Sequence, residues 1–285
     1  MPDVDIGDRD LRIIVDLHDG FDRARLPVRD NALLVMSSNY DPAIDAANVR
    51  HLNSRRVDSI LVSPSREDDP ELASALSEFD GPIVALESEL RIATPTDAVC
   101  ADHRGGMREA VDHLLRLNHR RIVALTGPLT RRSGRERHAG LREALTARGL
   151  STEHSTLVTE HREADAEAEV QRALRRREPP TALLACSLPL LVGAMRAIER
   201  SGLRIGRDLA LIAWDDTPLT ELSQPPIAVV DRDPRRLGAT AAQVVLRRLG
   251  RNGNRDAMPA GMEILPTRFL PRASCVAIGE SRASA

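Results

Sequence analysis

Four arginines lie close together in the segment 121–148, directly after a short apolar stretch. The stretch 122–126 (IVALT) is followed by Gly127 and Pro128, and then by a polar run that contains Arg131, Arg132, Arg135 and Arg137. A strand that ends in a glycine turn before a helix is where open α/β sheets bind ligands. Guanidinium groups at such an edge can bind hydroxyl, carboxylate or phosphate oxygens. The segment therefore predicts a small-molecule binding protein, with an arginine-bearing loop between a strand and a helix.

The sequence carries no motif that predicts catalysis. It has no Gly-x-Ser-x-Gly turn, no Gly-x4-Gly-Lys-Ser/Thr phosphate loop and no His-x3-His pair. Cys100, Cys186 and Cys275 are far apart and lie in apolar stretches, which predicts buried, reduced thiols rather than metal ligands. We therefore predict binding without chemistry: not an enzyme, with no cofactor and no metal.

Composition narrows the class of protein further. The net charge is −2, so there is no overall basic field to attract nucleic acid, and the 285 residues suffice for a large core. The N-terminal stretch MPDVDIGDRD is too polar for a signal peptide, and the weakly charged run 181–195 is too short to span a bilayer. We expect a soluble, cytoplasmic protein that does not enter a membrane. Only five aromatic residues are present, which argues against extensive ring stacking on a ligand.

Apolar runs typical of strands alternate with helical periodicity along the chain. Strands are predicted at 11–17, 32–37, 59–62, 82–86, 98–101, 122–126, 155–159, 181–185, 210–214 and 228–230. Helices are predicted at 45–53, 70–79, 106–117, 136–148, 164–176, 190–200 and 235–249, and Asn118 is expected to end the third of them. This alternation predicts an α/β protein with parallel sheets covered on both faces. These strands and helices are too many for one compact sheet, so we expect two similar lobes.

An ordered series of short motifs resembles the LacI-type family of bacterial transcriptional regulators. It consists of Asp102-x3-Gly106-x3-Ala110-x2-His113, then Thr126-Gly127-Pro128, Arg137-x2-Gly140, LALIAWDD at 209–216 (family vsvvGfDD), PPIAVV at 225–230 (family PpLTTv) and RASC at 272–275 (family vvRgS). The resemblance runs from about residue 30 to 278. It implies the periplasmic-binding-protein type 1 fold: two Rossmann-like lobes joined by three crossings, with an effector in the cleft and dimerisation through lobe faces.

The implied lobes are residues 11–100 with 231–260 (N-terminal) and residues 101–230 with 261–278 (C-terminal). The stretches 1–10 and 279–285 are expected to be flexible tails. Three departures from the family pattern stand out. Only ten residues precede Leu11, too few for the family's helix-turn-helix, so DNA binding is expected only through a segment absent from this chain. The connection 17–31 contains Pro27 and predicts a short or irregular first crossover. Ser187-Leu188 replaces the family's Asn-Asp.

Two residues are the leading candidates for ligand contact. Arg137 lies three residues before Gly140, where the resemblance places an effector-contacting arginine; the alternative is a surface arginine in an ion pair. Asp215 corresponds to the first Asp of the family's Asp-Asp at a strand end; the alternative is a structural turn aspartate. We predict that the two face each other beside the cleft and hold a polar ligand together.

Four further ligand-binding candidates come from strand ends and crossings. Glu87 follows the strand at 82–86, and His103 follows the crossing near residue 101. Ser187 occupies the altered family position, where it either donates to the ligand or caps a helix. Trp214 either presents its ring beside the cleft or packs in the sheet. Weaker candidates are Asp19 and Ser63, whereas His119 is expected in a solvated loop.

Three functions are compatible with these observations. The leading one is the effector-binding and dimerisation portion of a LacI-type transcriptional regulator. The alternatives are a free-standing cytoplasmic small-molecule binding module with no DNA role and a sugar or nucleoside enzyme. The expected partner is a small polar effector (a sugar, sugar phosphate, purine or organic acid), and the arginines favour an acidic or phosphorylated one. A homodimer is expected through apolar faces containing Val49, Leu52 and the run 72–76.

Overall fold

Strands and helices alternate along the computed structural model, which describes residues 11–16, 31–249 and 259–278. Within these ranges the strands are β1 (Leu11–Asp16), β2 (Asn31–Met36), β3 (Ile60–Val62), β4 (Ile83–Leu86), β5 (Asp97–Ala101), β6 (Ile122–Thr126), β7 (Thr156–Val158), β8 (Ala182–Ala185), β9 (Ala210–Trp214), β10 (Ala228–Asp231), β11 (Met262–Leu265) and β12 (Arg268–Leu270). The helices are α1 (Pro42–Ser54), α2 (Pro70–Ser77), α3 (His103–Arg116), α4 (Arg132–Thr146), α5 (Glu163–Leu174), α6 (Leu188–Arg200), α7 (Pro218–Leu222) and α8 (Pro234–Leu249).

The first sheet has the strand order β11-β5-β4-β3-β1-β2, and all its pairings are parallel. Helix α8 packs its apolar residues on one face of the sheet, and α1 and α2 form a second apolar cluster with β3. Val49, Leu52, Leu72 and Leu76 are buried in this second cluster. Our expectation that these residues form a dimer face is therefore wrong, because they pack inside the subunit.

The second sheet has the order β12-β10-β9-β8-β6-β7, parallel except for the antiparallel pair β10–β12. One face is covered by α3 and α4, and the other by α5 and α6. Strands β6, β8 and β9 are buried along their whole length, as expected for strands covered by helices on both sides. The predicted class, α/β with parallel sheets, is confirmed.

The chain divides into two compact units. The first takes its described residues from 1–101, 130–132 and 233–265, and the second takes them from 102–129, 133–232 and 266–285. Residues 261–265 were expected in the C-terminal lobe. They belong to the first unit instead, because β11 pairs in parallel with β5 along its whole length. The expected tails 1–10 and 279–285 lie outside the described residues, and so does the first crossover apart from Asn31.

Several predicted elements shift once tertiary contacts are formed. Helix α4 begins at Arg132 rather than at 136, so most of the predicted arginine loop is helix. The short elements α7, β11 and β12 were missed, because five or fewer residues carry little periodicity. Asn118 ends α3 as predicted: its φ is 65°, and the next amide bonds back to the carbonyl of Leu114.

Helices α3 and α4 approach closely at Gly140. A Cβ atom at this position would lie 2.5 Å from the carbonyl oxygen of Arg104 and 3.1 Å from the Cβ of Met107. The carbonyl belongs to the backbone of α3 and cannot swing aside as a flexible side chain would. The absence of a side chain at 140 therefore sets how near the two helices lie.

We predict that Gly140→Ala lowers the free energy of unfolding by about 1–3 kcal/mol, because the added methyl group overpacks the contact between α3 and α4. A loss of stability would be informative, because replacing glycine by alanine in a helix otherwise raises stability by ~1 kcal/mol. Urea denaturation measures the change. The control is Gly261→Ala, where a Cβ meets no atom within 4 Å and a change within about 0.5 kcal/mol is expected. Equal or higher stability of Gly140→Ala would contradict the packing argument.

Candidate functional site

The carboxyl edge of the second sheet collects polar side chains from several strands. Gly127 follows β6, Cys186 and Ser187 follow β8, Asp215 follows β9, and Arg232 follows β10. Parallel strands bring these positions to one edge, which is where sheets of this class bind ligands. Helix α4, which begins after β6, carries Arg137 to the same edge.

Arg137 is held above the ring of Trp214. Its guanidinium carbon lies 4.3 Å from the ring centroid, and Nη1 donates a hydrogen bond of 2.8 Å to the carbonyl of Cys186. The side chain is only 5% exposed, so Arg137 is not the exposed arginine of the alternative interpretation. Stacking on the ring and one fixed donor hold the planar fork in a single orientation.

Trp214 packs in the core, which is one of the two roles that the sequence left open. Its ring is 2% exposed and belongs to the core cluster between the sheet and α3 and α4. The same ring contacts Arg137 and the ring of His103, whose centroid lies 5.6 Å away. Within the described residues the buried Nε1 has no hydrogen-bond partner, which is unusual for a buried indole. His103 is fully buried as the first residue of α3, and it contributes to this aromatic layer.

Asp215 forms a bidentate ion pair with a residue that the sequence analysis missed. Arg232 donates from Nε and a terminal nitrogen to the two carboxylate oxygens of Asp215, at 2.7 and 2.8 Å. The arginine is buried and the aspartate is partly exposed. The rule that selected Asp215 also selects Arg232, because Arg232 directly follows β10. Asp215 thus has a structural partner, and its remaining lone pairs are the acceptors it can offer to a ligand.

Ser187 shares a hydrogen bond of 3.1 Å with Nδ1 of His161 and does not cap α6 with its side chain. The helix-cap alternative is therefore wrong, because the hydroxyl bonds to the imidazole. His161 was not selected from the sequence; its signal is its position three residues after β7. Its ring lies against Gly127, where a Cβ atom would come within 2.1 Å of Nε2. Glycine at 127 is needed for this close approach.

Two of the remaining candidates belong to the first unit. Glu87 directly follows β4 and Ser63 directly follows β3, whereas Asp19 lies outside the described residues. Glu87 is buried, has a φ of 56°, and accepts a hydrogen bond of 2.6 Å from the amide of Ala101. Ser63 accepts a hydrogen bond of 3.4 Å from Arg131, one of the four arginines that follow β6 in the sequence.

His119 is not in a solvated loop. Its imidazole is buried, with Nδ1 near the hydroxyl of Thr181 and Nε2 donating to the carbonyl of Val276. Burial lowers its pKa, against the opposing effect of that carbonyl. His119 and Arg121 line a cavity of about 580 Å³ at the starts of β6, β8 and β9. This cavity contains none of the six predicted ligand-binding residues and lies at the other edge of the sheet.

Three comparisons identify what the chain is similar to. A model of the periplasmic binding protein-like domain matches residues 111–275. The lactose operon repressor of Escherichia coli (strain K12) is 29% identical over 243 residues, which cover 84% of this chain and 64% of that protein. The HTH-type transcriptional regulator AglR of Rhizobium meliloti (strain 1021) is 33% identical over 244 residues, covering 82% of this chain and 65% of AglR. The chain thus spans slightly less than two thirds of these relatives.

The solved structure of a complex of the transcriptional regulator CelR with cellobiose has the same fold. The TM-score is 0.79, with 23% identity, over 93% of this chain and 84% of that chain.

Within the described residues no helix is long and apolar enough to cross a membrane. No group of three His, Cys, Asp or Glu side chains in the same ranges is arranged to hold a metal ion.

The three cysteines are poor nucleophiles. Burial raises the pKa of Cys186 to about 11, although the charge of Arg137 and a hydrogen bond with Thr126 oppose the rise. Burial also raises the pKa of Cys100 to about 12 and that of Cys275 to about 11. At pH 8 a pKa near 11 leaves about one thiol in a thousand as the reactive thiolate.

We predict that the native protein reacts very slowly with Ellman's reagent at pH 8, because its thiols are protonated and shielded. The same reaction in denaturing urea should release three equivalents, one for each cysteine in the sequence. The absorbance of the released thiolate gives the number of reactive cysteines in the native and in the denatured protein. Rapid modification of one equivalent in the native state, assigned by peptide mapping to Cys186 or Cys100, would contradict the burial of that thiol.

Proposed function

The chain belongs to the periplasmic binding protein-like family, in the form carried by LacI-type regulators, and on this premise we propose that it binds a small polar effector at the carboxyl edge of the second sheet. The observation that carries the proposal is the fixed guanidinium of Arg137 on Trp214. Five donors in a rigid plane recognise pairs of acceptor atoms, and an oriented fork loses little entropy on binding. The carbonyl of Cys186 engages one of these donors and sets their direction.

Other groups at the edge complement this donor. The Asp215–Arg232 pair offers carboxylate lone pairs, and the Ser187–His161 pair offers a hydroxyl and an imidazole. A ligand with several hydroxyl, carbonyl or amide groups satisfies such a mixture of donors and acceptors. We therefore propose a sugar, sugar phosphate, purine or organic acid as the effector class.

We further propose that effector binding serves transcriptional regulation. The relatives reported above carry the names of regulators, which supports this role over that of a free-standing binding module. In this reading the effector shifts the regulator between two states through its different affinity for each. DNA contact belongs to a helix-turn-helix segment, and the regulator acts in the cytoplasm as a homodimer, without catalytic activity.

One exposed apolar residue supports the proposed homodimer. Leu222, the last residue of α7, is 75% exposed, more than any other large apolar side chain among the described residues. We take it as the candidate contact residue, since a symmetric dimer is the commonest closed arrangement of identical chains.

The effector proposal predicts that Arg137→Ala weakens effector binding by about ten- to a hundredfold, as expected for the loss of a charge-assisted hydrogen bond worth roughly 1.5–3 kcal/mol. A thermal-shift screen over sugars, sugar phosphates, purines and organic acids identifies the effector, and calorimetry then measures the affinity of each variant. The control is Arg142→Ala, which removes an exposed arginine from the same helix. Equal affinity of Arg137→Ala and the wild type for the effector would show that Arg137 does not contribute to effector binding.

The dimer proposal predicts a mass near twice the 31.2 kDa of one chain in multi-angle light scattering at micromolar concentration. Leu222→Asp should shift the protein towards the single-chain mass, because it places a charge in the apolar contact. Val158→Asp is the control, since Val158 is also an exposed apolar residue, 46% exposed, but lies on the edge strand β7 away from α7 in sequence. A wild type of single-chain mass would contradict the dimer.

A further inference from the structure

The cavity at the amino edge of the second sheet takes no part in the proposed function. It lies where β6, β8 and β9 begin, whereas Arg137 and Asp215 lie at the opposite edge. Its volume is about 580 Å³. Pockets for small organic molecules commonly measure about 300–1,000 Å³, so a molecule of that kind fits here. The lining consists of His119, Arg121, Thr181, the turn 206–210 and the segment 276–278.

Hydrogen bonds between distant segments hold one wall of the cavity in place. Nε2 of His119 donates to the carbonyl of Val276 across 3.0 Å, and the amide of Ile278 donates to the carbonyl of Leu117 across 3.1 Å. Nδ1 of the same imidazole lies 3.1 Å from the hydroxyl of Thr181, directly before β8. The segment 276–278 is thus tied to the loop before β6, and a ligand would meet a wall that is already ordered.

A tight turn before β9 forms another wall. The amide of Asp208 donates to the carbonyl of Arg204, and the carboxylate of Asp208 accepts from the amide of Arg204, each across 2.8 Å. Gly206 has a φ of 81°, and a Cβ atom there would lie 2.7 Å from the carbonyl oxygen of Ala273. The turn therefore requires glycine at this position, and it places Arg207 in the lining.

The charged groups of the lining favour a negatively charged ligand. Arg121 and Arg207 contribute two positive charges, and Asp208 contributes one negative charge. The carboxylate of Asp208 accepts from the amide and from Nε of Arg204, and the bond from the amide is the main cause of its lowered pKa. Asp208 is therefore ionised and paired within its own turn. The two arginines leave the cavity with an excess of positive charge, which attracts an anion.

Arg121 combines a fixed orientation with donors that a ligand can use. Its Nε donates to the carbonyl of Pro179 across 2.7 Å, and neither terminal nitrogen has a partner within the described residues. Guanidinium nitrogens bind the oxygens of a carboxylate or a phosphate in pairs. The same lining contains the apolar side chains of Leu209, which is buried, and Ile278, which is 49% exposed. A ligand that satisfies both parts carries an anionic group on an apolar body.

We propose that this cavity is a second ligand site, which binds a small organic anion. The carboxylate or phosphate of the ligand contacts Arg121, and its apolar part contacts Leu209 and Ile278. All of these residues belong to the second unit. The site shares no residue with the groups around Arg137, so it stands independently of the proposed function.

The first test measures the melting temperature of the full chain with benzoate, phenyl phosphate, inorganic phosphate or benzyl alcohol, each at an ionic strength matched with sodium chloride. Benzoate or phenyl phosphate should raise the melting temperature saturably, because a ligand that binds only the folded chain stabilises it. The larger response of the two assigns a carboxylate or a phosphate as the anionic group. Inorganic phosphate lacks the apolar part and benzyl alcohol lacks the charge, so both should have smaller effects. No saturable response to benzoate or phenyl phosphate, or an equal response to benzyl alcohol, would overturn the proposal.

The second test shows where the more effective of these two probes binds. Arg121→Gln should weaken its affinity by about tenfold in calorimetry, as expected for the loss of a charge-assisted hydrogen bond. Ala277→Phe should abolish binding, because the larger side chain fills part of the cavity while Arg121 is retained. The control is Arg142→Gln, which removes an exposed arginine that is not part of the lining and should keep the wild-type affinity.

Arg137→Ala separates this cavity from the proposed effector site. The variant should bind the probe as tightly as the wild type does, and Arg121→Gln should bind the effector as tightly as the wild type does. Loss of probe binding in Arg137→Ala together with unchanged probe binding in Arg121→Gln would place the probe among the effector-binding groups. That result would overturn the second site while leaving the proposed effector function intact.

Discussion

The burial of the central strands of both sheets is the constraint on which the rest of this structure depends. Strands β6, β8 and β9 are buried along their whole length, so their backbone groups pair in the ladder and their side chains are apolar. Polar side chains that could bind a ligand are therefore placed at the residues that follow the strands, where the chain leaves the sheet. Asp215 and Arg232 directly follow their strands, and Ser187 follows after one intervening residue. The position of the candidate site is therefore a consequence of how the core is built.

Three buried arginines differ in the groups that contact and stabilise their charge. Arg232 is neutralised by both oxygens of Asp215, whereas Arg137 rests on a tryptophan ring and a backbone carbonyl. Arg131 has a hydroxyl and a tyrosine ring beside it. The cost of burying a guanidinium rises as its partners become less charged. The ion pair between Arg232 and Asp215 is of the kind that serves the fold.

The two units share one local backbone conformation at a strand end, which no internal sequence repeat predicts. Glu87 follows β4 with a φ of 56°, and its amide donates to the carbonyl of Val99 in the neighbouring strand. Asp215 follows β9 with a φ of 70°, and its amide donates to Val230 in the neighbouring strand. A left-handed conformation at a residue other than glycine costs of order 1–3 kcal/mol and persists where the surroundings enforce it. In each unit the strained residue is a carboxylate at the edge of the sheet.

The sequence by itself determined the class of fold, the order of most elements and the strand ends where polar residues gather. These features are local, because the apolar period and the residue after a strand can be recognised without knowing what packs nearby. The resemblance to the LacI-type motifs selected Arg137 and Asp215, and the glycine-turn segment and the strand-end rule agree with that selection. The first turn of α4 was missed because Ser133, Gly134 and the arginines before Arg137 carry no apolar stripe.

Only the tertiary structure decided which side chains meet. Arg232 reaches Asp215 because β9 and β10 are neighbours, and His161 reaches Ser187 although 26 residues separate them. The pairing of β11 with β5 likewise joins segments more than 160 residues apart in sequence. Partner choice depends on strand order and on the distance between packed elements, neither of which is encoded in any short stretch of the chain. For the same reason, the burial of Arg131 beside Ser63 was decided only in the folded protein.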